Sequence, residues 1–341
     1  MNVNDMFGLE FHLRNLDKGT DPLVRLDDLV EWKIFRPTLR KIHMKSRKSN
    51  AGRPPFDEVL MFKILILQSL YNLSDDATEF QIRDRFSFLR FLGLDIGATV
   101  PDSRTIRLFR EQLTESQLIE TLFISFNEYL AECGLVASKG QIVDASFVEA
   151  PRQRNTRKEN ELIKAGETPE EWEEKPEKLC QKDVDARWTQ KNDINYYGYK
   201  NHICIDVKHK LIRAWAVTEA SRHDSQVVEE LIANDNTSGD VWADSAYRAA
   251  EIFELLEKWG LREHVQRKGY RGHPLSDWEK RGNWTRAKVR ARVEHVFGAQ
   301  LMRAGTLVVR TIGIARARAK IGLRNLAYNI ERFGMLMAAR A

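Results

Sequence analysis

The feature that most narrows the fold is a change of period at Gly140. Before it, from about residue 57 to 132, apolar residues recur at three- and four-residue spacing, the mark of helices with one covered face. After it come short apolar, β-branched runs at 141–148, 202–207, 211–217, 240–243 and 262–266, each of strand length. Helical spacing returns between and after them, at 225–233, 249–258 and 286–301. Three strands, a helix, a strand, a helix, a strand and a helix make a mixed α/β layer fold, here preceded by an all-α region.

That order resembles the ribonuclease H fold, a mixed sheet with flanking helices. The chain is therefore expected to hold a helical N-terminal domain over 1–135 and an α/β domain over 136–341. Residues 151–195 interrupt the strand order and are polar, with Arg152, Arg154, Arg157 and Lys158 ahead of the acidic run 167–177. They read as an insertion, and Trp172 and Trp188 imply that part of it packs. In the helical region Asp57 or Glu58 suits the start of the first long helix, a second is expected over 74–90, and Asp102 or Ser103 caps a third.

Asp144 and Asp244 each follow a run typical of a buried strand, Ile142-Val143 and Val241-Trp242-Ala243. Between Arg281 and Ile330 there are eleven Lys or Arg residues and one acid, Glu294. Taken singly, each carboxylate has an ordinary reading: a strand-end Asp is commonly a turn or cap residue, and Glu294 lies four residues after Arg290, a frequent helical ion pair. Taken together they suit a site for two Mg²⁺ or Mn²⁺ ions roughly 3.5–4 Å apart, because such hard cations prefer oxygen ligands. Two unit charges about 4 Å apart cost roughly 4 kcal/mol at an effective dielectric of 20, and bound cations remove that penalty. On the last of these helices Val289, Val293, Val296 and Phe297 form a sheet-facing stripe with Glu294 at its margin, and Arg290 either pairs with Glu294 or reaches the scissile phosphate.

The net charge of the 341 residues is only +5, so the clustering of bases matters more than their excess. Arg104, Arg107 and Arg110 share a helix face that either lies along DNA or pairs with Glu111 and Glu115. Arg316, Lys320 and Arg324 form a second basic stripe, with no acid until Glu331. Arg152, Arg154 and Arg290 complete the candidate contacts to double-stranded DNA. Three dispersed cysteines, Cys133, Cys180 and Cys204, argue against a disulfide framework or zinc site. The first residues lack the pattern of a secretory leader, and the most apolar stretch, 59–73, is interrupted by Lys63 and Gln68. A protein of a reducing cytoplasm, not associated with a membrane, is expected.

With Val143-Asp-Ala-Ser146, Trp242-Ala-Asp-Ser-Ala-Tyr247 and Arg290-Ala-Arg-Val-Glu-His-Val-Phe297 located, the chain resembles bacterial insertion-sequence transposases of the DDE class, in the insertion-sequence-five family. The resemblance runs from about Gly52 onward through Ala150-Pro-Arg-Gln-Arg-Asn155, Gln181-Lys-Asp-Val-Asp-Ala-Arg-Trp188, Tyr196-Tyr-Gly-Tyr-Lys-Asn-His202, His223-Asp-Ser225 and 311–320. It implies that Asp144, Asp244 and Glu294 are the catalytic, metal-binding residues. It also implies that the helical region recognises terminal inverted repeats, and that the protein is bacterial and associated with the nucleoid when on DNA. Activated water would cut a strand at the element end, and the exposed 3′-OH would attack target DNA. The wider superfamily's Tyr-x2-Arg-x3-Glu-x6-Lys signature keeps Arg290 and Glu294 but has Ala287 for Tyr and Leu301 for Lys, which leaves Arg303 and the final helix as substitutes.

His223 and Asp224 either support a metal ligand or stabilise their own turn, and His295 receives no role. Tyr196, Tyr197 and Tyr199 either stack on an unpaired base or pack the insertion on the sheet. Two other functions share the basic surfaces: a repressor derived from a transposase without catalysis, and a ribonuclease H-like nuclease that cuts without joining. Work on two element ends implies a homodimer or larger assembly on DNA.

Overall fold

Two aspartates open the first helices. Asp21 accepts from the Leu23 N–H (3.0 Å) at the head of α1 (Pro22–Leu29), and Asp57 accepts from Val59 and Leu60 (2.9 and 3.0 Å) at the head of α2 (Glu58–Tyr71). Glu58 then lies in the positive first turn of α2, so the two expected candidates divide the work. The structure, a computed structural model, describes residue 15 and residues 21–44, 54–191 and 193–340. The chain forms two units, one of residues 1–112 and 327–341, the other of 113–326.

In the first unit α2 is buried almost all round, and even Lys63 is covered, paired with Asp27 at 2.6 Å and lying over the rings of Trp32 and Phe91. The helix expected over 74–90 is two helices, α3 (Asp75–Asp84) and α4 (Phe86–Leu92). Arg85 breaks it by taking an extended conformation (φ −108°, ψ 115°), which lays its guanidinium over Phe88 and Tyr71. In α5 (Ser103–Glu115) Asp102 is the cap, accepting from Thr105 N–H at 2.7 Å.

In the second unit α6 (Leu118–Glu132) is tied to the sheet by Asn127, which donates to the Arg213 carbonyl at 2.9 Å. The sheet contains β1 (Gln141–Glu149), β2 (Arg187–Lys191), β3 (Ile194–Asp206), β4 (Ile212–Glu219), β5 (Asp240–Ala243) and β6 (Arg262–Val265). One edge of β3 pairs antiparallel with β1; the other carries β2 along 194–198 and β4 along 199–205. β5 is parallel to β1, and β6 is parallel to β5. Leaving out β2, the order β4-β3-β1-β5-β6 is the ribonuclease H-like arrangement expected from the sequence.

Side chains alternate across the sheet, so Val143 and Val148 enter different cores. Val143, Cys204, Ala216, Val241 and Val265 pack under α8 (Ala250–Lys258) and the short helix Val228–Leu231; Val148, Tyr197, Tyr199 and Val217 pack against Val309, Ala317 and Ile321. The helix expected over 225–233 is shorter than read, a 3₁₀ turn Asp224–Val227 followed by that single turn. Two long helices follow, α9 (Asp277–Ala304) and α10 (Ile314–Ala338); α9 starts nine residues before the expected 286 because Ser276 and Glu279 form a capping box.

The stretch read as an insertion is folded. α7 (Arg157–Ala165) opens with a capping box between Thr156 and Glu159. Glu159 also accepts from the buried Trp172 Nε1–H (2.6 Å) and from Lys178 Nζ (3.0 Å), and these hydrogen bonds, led by that from the Thr156 N–H, pull its carboxyl down to about 2. The end of the stretch is the β2–β3 hairpin, so β3 starts eight residues before the expected 202. Gly198 takes φ +143°, and a Cβ there would meet the Val148 carbonyl oxygen at 2.4 Å, so the crossing of β3 on β1 requires glycine. Among the described residues no helix is long and apolar enough to cross a membrane.

Candidate active site

The parallel register pairs Gln141 with Val241 and Ile142 with Trp242. Two residues further on stand Asp144, within β1, and Asp244, just past the end of β5, so adjacent strands bring both carboxylates to one level at the edge of the paired region. Asp244 accepts from the Ala246 N–H at 2.8 Å and starts the turn Ser245–Tyr247. Asp144 is buried; its Oδ1 accepts from the Ala145 N–H (2.8 Å) and its Oδ2 from Arg290 (2.7 Å).

α9 packs across β1 and β5, with Val293 and Val296 buried. This places Arg290 beside Asp144, and its second terminal nitrogen lies 3.3 Å from Glu294 Oε1. The sequence leaves Arg290 either a partner of Glu294 or a contact of the scissile phosphate; the structure shows it bridging Glu294 and Asp144. Burial pushes the Asp144 carboxyl up to about 6, Arg290 and the Ala145 N–H oppose that rise, and the charges of Asp244 and Glu294 add to it. The three expected residues therefore share one electrostatic neighbourhood, with a guanidinium as its cation.

Hard oxygen donors of this kind suit Mg²⁺ or Mn²⁺. Among the described residues, however, no three His, Cys, Asp or Glu side chains are gathered closely enough to hold one ion. Glu294 points largely to solvent at 59% exposure, and Arg290 holds Asp144. The donor chemistry fits divalent cations, provided that Arg290 releases Asp144.

Beside the triad the candidate Asp224 joins two buried residues that the sequence does not single out, Lys200 and Tyr247. Lys200 Nζ donates to Asp224 Oδ1 (2.8 Å) and to the Arg222 carbonyl (2.7 Å), and Tyr247 is buried among the charges of Asp224, Asp144 and Asp244. Burial, and then those carboxylates, push the Tyr247 hydroxyl well above its ordinary range. Asp224 thus faces inward, whereas His223 serves the turn, its Nδ1 sharing a hydrogen bond with Ser225 Oγ (2.7 Å). The run Tyr199-Lys-Asn-His202 was the available signal, and its buried polar residues carried no visible period.

His202 is fully covered, its Nε2 hydrogen-bonded to Thr218 Oγ1 (2.9 Å). Burial lowers its pKa to about 4, with Lys200 and Arg222 adding to the shift and Asp224 opposing it. The depressed value means that stability from a neutral His202 is complete above the unfolded pKa of 6.5 and is lost as pH falls to about 4. The loss is about 3 kcal/mol. Urea unfolding at pH 7 and pH 4 should show His202→Gln losing about 3 kcal/mol less than the parent protein; equal losses would refute this.

The expected DNA contacts divide. Arg104, Arg107, Arg152, Arg154 and Arg316 are exposed, with Arg152 stacked over Trp188. Arg110 instead makes a two-pronged ion pair with Asp75 (2.6 and 2.9 Å) and donates to Gln68. Lys320 is half-buried and reaches the Val308 carbonyl. The stripe fails at Arg324, which is buried, donates to the Gln300 and Gly305 carbonyls at the end of α9, and is lowered to about 10 by burial. Helical spacing assigned these residues to one face, but α9 covers the end of it. Of the tyrosines, Tyr199 donates to Asp183 (2.6 Å) and Tyr197 lies against Trp188, contacts that pack the insertion on the sheet, whereas Tyr196 stacks on Phe147 between β3 and β1.

Residues 137–330 match the family model described as a transposase DDE domain, and residues 11–112 match one described as a transposase domain. Among solved structures, the chain is similar to the piggyBac transposase synaptic complex with hairpin DNA, at 11% identity and a TM-score of 0.48, over 91% of this chain and 75% of that one.

Proposed function

The chain belongs to the transposase DDE-domain family, whose model matches more than half of it, and from that premise we propose that Asp144, Asp244 and Glu294 hold two divalent cations and perform strand cleavage and joining at the ends of a mobile element. In coarser terms it is a DNA transposase of the metal-dependent kind. The observation that carries the finer reading is the parallel register of β1 and β5, which sets two aspartates side by side, with Arg290 linking one of them to Glu294.

Cations bound there supply Lewis-acid polarisation of the phosphate and a more acidic attacking hydroxyl. The chain's own groups do the rest. Asp144, held near pH 6, is mostly ionised at neutral pH and available as a ligand. Arg290, once released, has a planar fork matched to phosphate oxygens and holds the scissile group against the carboxylates. In this reading the helical part up to residue 135 recognises the terminal inverted repeats, with Arg104 and Arg107 as phosphate contacts. Two copies assemble on DNA to join both ends to the target.

The test uses end DNA of the element, supercoiled plasmid and Mg²⁺ or Mn²⁺, with the parent protein beside Glu294→Gln. The parent should cut and join; the variant should bind DNA and do neither. Cutting without joining by the parent would favour a nuclease, and binding alone would favour a repressor.

A further inference from the structure

Upstream of Glu294 lies a surface that the triad does not use. Trp278 and Trp284 are each 64% exposed and Tyr270 is 68% exposed, although large aromatic side chains are normally covered. Between residues 267 and 292 there are nine Lys or Arg residues against two acids, Asp277 and Glu279, and both acids are engaged: Asp277 by Lys280, and Glu279 by Arg267 and the helix cap. At about 100° per residue, Trp278, Arg281, Trp284 and Lys288 fall within about a third of the circumference of α9. Trp284 forms the edge nearer Glu294.

The surface is rigidly built. Asn283 accepts from the Arg267 N–H and donates to the Arg267 carbonyl, both at 2.8 Å, which clamps the preceding loop to α9. That loop turns tightly at Arg271-Gly272, closed by two hydrogen bonds between Tyr270 and His273, with Gly272 at φ +82°. Arg267 lies over the Trp278 ring, and the Lys288 ammonium sits 3.3 Å from the centroid of the Trp284 ring. Each indole thus has a cation on one face.

We propose that this surface binds an unpaired strand of DNA, with bases stacking on Trp278 and Trp284 and phosphates held by Arg271, Arg281 and Lys288. The inference rests on the DNA-transposase reading and adds a place for the strand that becomes unpaired beside the cut. Duplex DNA offers phosphates to such a surface but keeps its base faces covered; an unpaired strand offers both, matching aromatics interleaved with cations. Trp284 precedes Glu294 by ten residues, about 15 Å along the helix. A strand lying here would therefore be held a few nucleotides from the reacting phosphate.

The experiment measures fluorescence anisotropy of a labelled oligothymidylate and of a labelled duplex of equal length, with the full chain and its W278A/W284A variant. Loss of two stacking partners should weaken single-strand binding by about ten-fold or more, with duplex binding changed less than about two-fold. Trp284→Tyr, which keeps a stacking ring, should retain most of the affinity, and unchanged thermal melting would exclude unfolding of these solvent-facing variants. Unchanged single-strand binding, or an equal fall for both DNAs, would overturn the proposal. So would a change of sedimentation coefficient without loss of DNA binding, which would make the surface an interface between copies. Joining of element ends, measured separately, reports on the transposase reading: intact joining with unchanged single-strand binding would reject this surface alone.

Discussion

Asp144→Asn is expected to abolish strand cleavage and joining and, at the same time, to make the protein more stable at neutral pH than its parent. In the proposed mechanism Asp144 is a cation ligand, and its loss would remove the several kcal/mol that bound cations supply at a transferring phosphate, so activity should fall at least about a thousand-fold. The stability effect follows from burial. With its carboxyl raised from 3.8 to about 6 in the folded state, Asp144 favours folding when protonated. That contribution is complete below pH 3.8 and is lost as pH rises through about 6, a loss of about 3 kcal/mol. Asparagine has no proton to release and keeps an oxygen for Arg290. Urea unfolding in chelator at pH 4 and pH 8 should therefore show the variant gaining about 3 kcal/mol on the parent across that interval. A difference that does not change with pH would remove Asp144 from the buried, mutually repelling site. Adding Mn²⁺ should raise the melting temperature of the parent more than that of the variant, because a ligand that binds only the folded form stabilises it.

Arg290→Met is expected to do the reverse to stability. Its guanidinium is the cation next to the buried Asp144, and removing one partner of a buried pair leaves an uncompensated charge. At pH 8 in chelator the cost should be about 3 kcal/mol. Because Arg290 competes with any cation for Asp144, the variant should also bind Mn²⁺ more tightly than the parent, and Mn²⁺ should restore much of the lost stability. Joining should remain lost, since no fork is left for the phosphate. Metal affinity equal to or weaker than that of the parent would show that the guanidinium does not occupy the cation's place.

The parts of this site that were legible in the sequence were those written locally. Asp144 and Asp244 followed β-branched runs, and Glu294 was conspicuous as one acid in a basic segment. The bond from Arg290 to Asp144 joins residues 146 positions apart and has no local trace. The first half of β3 has no strand mark in the sequence because its buried residues, Tyr197-Gly-Tyr-Lys-Asn201, show neither the alternation of a half-covered strand nor the apolar run that marks 202–207. The break at Arg85 is set by ring contacts to Tyr71 and Phe88 that spacing does not reveal. Arg324 shows the limit of helical periodicity: it assigns residues to a face but does not tell what covers that face. The early start of α9 is written in the sequence as Ser276 and Glu279 three residues apart, but the apolar stripe that marks the helix begins later.

The β2–β3 hairpin and its Trp172 core also govern how the molecule is assembled. Gln141 pairs with Asp206 and Glu149 with Gly198, so the central antiparallel pair closes across the whole folded stretch between them. Contacts of such long sequence separation form slowly, because the chain loses loop entropy before the pairing repays it. Early folding of α7 around Trp172 and of the hairpin, both built from local contacts, would shorten the loop that the β1–β3 pairing has to close. The rate at which a newly made chain forms its central sheet is therefore expected to respond to substitutions in a segment that holds none of the three carboxylates, such as at Trp172.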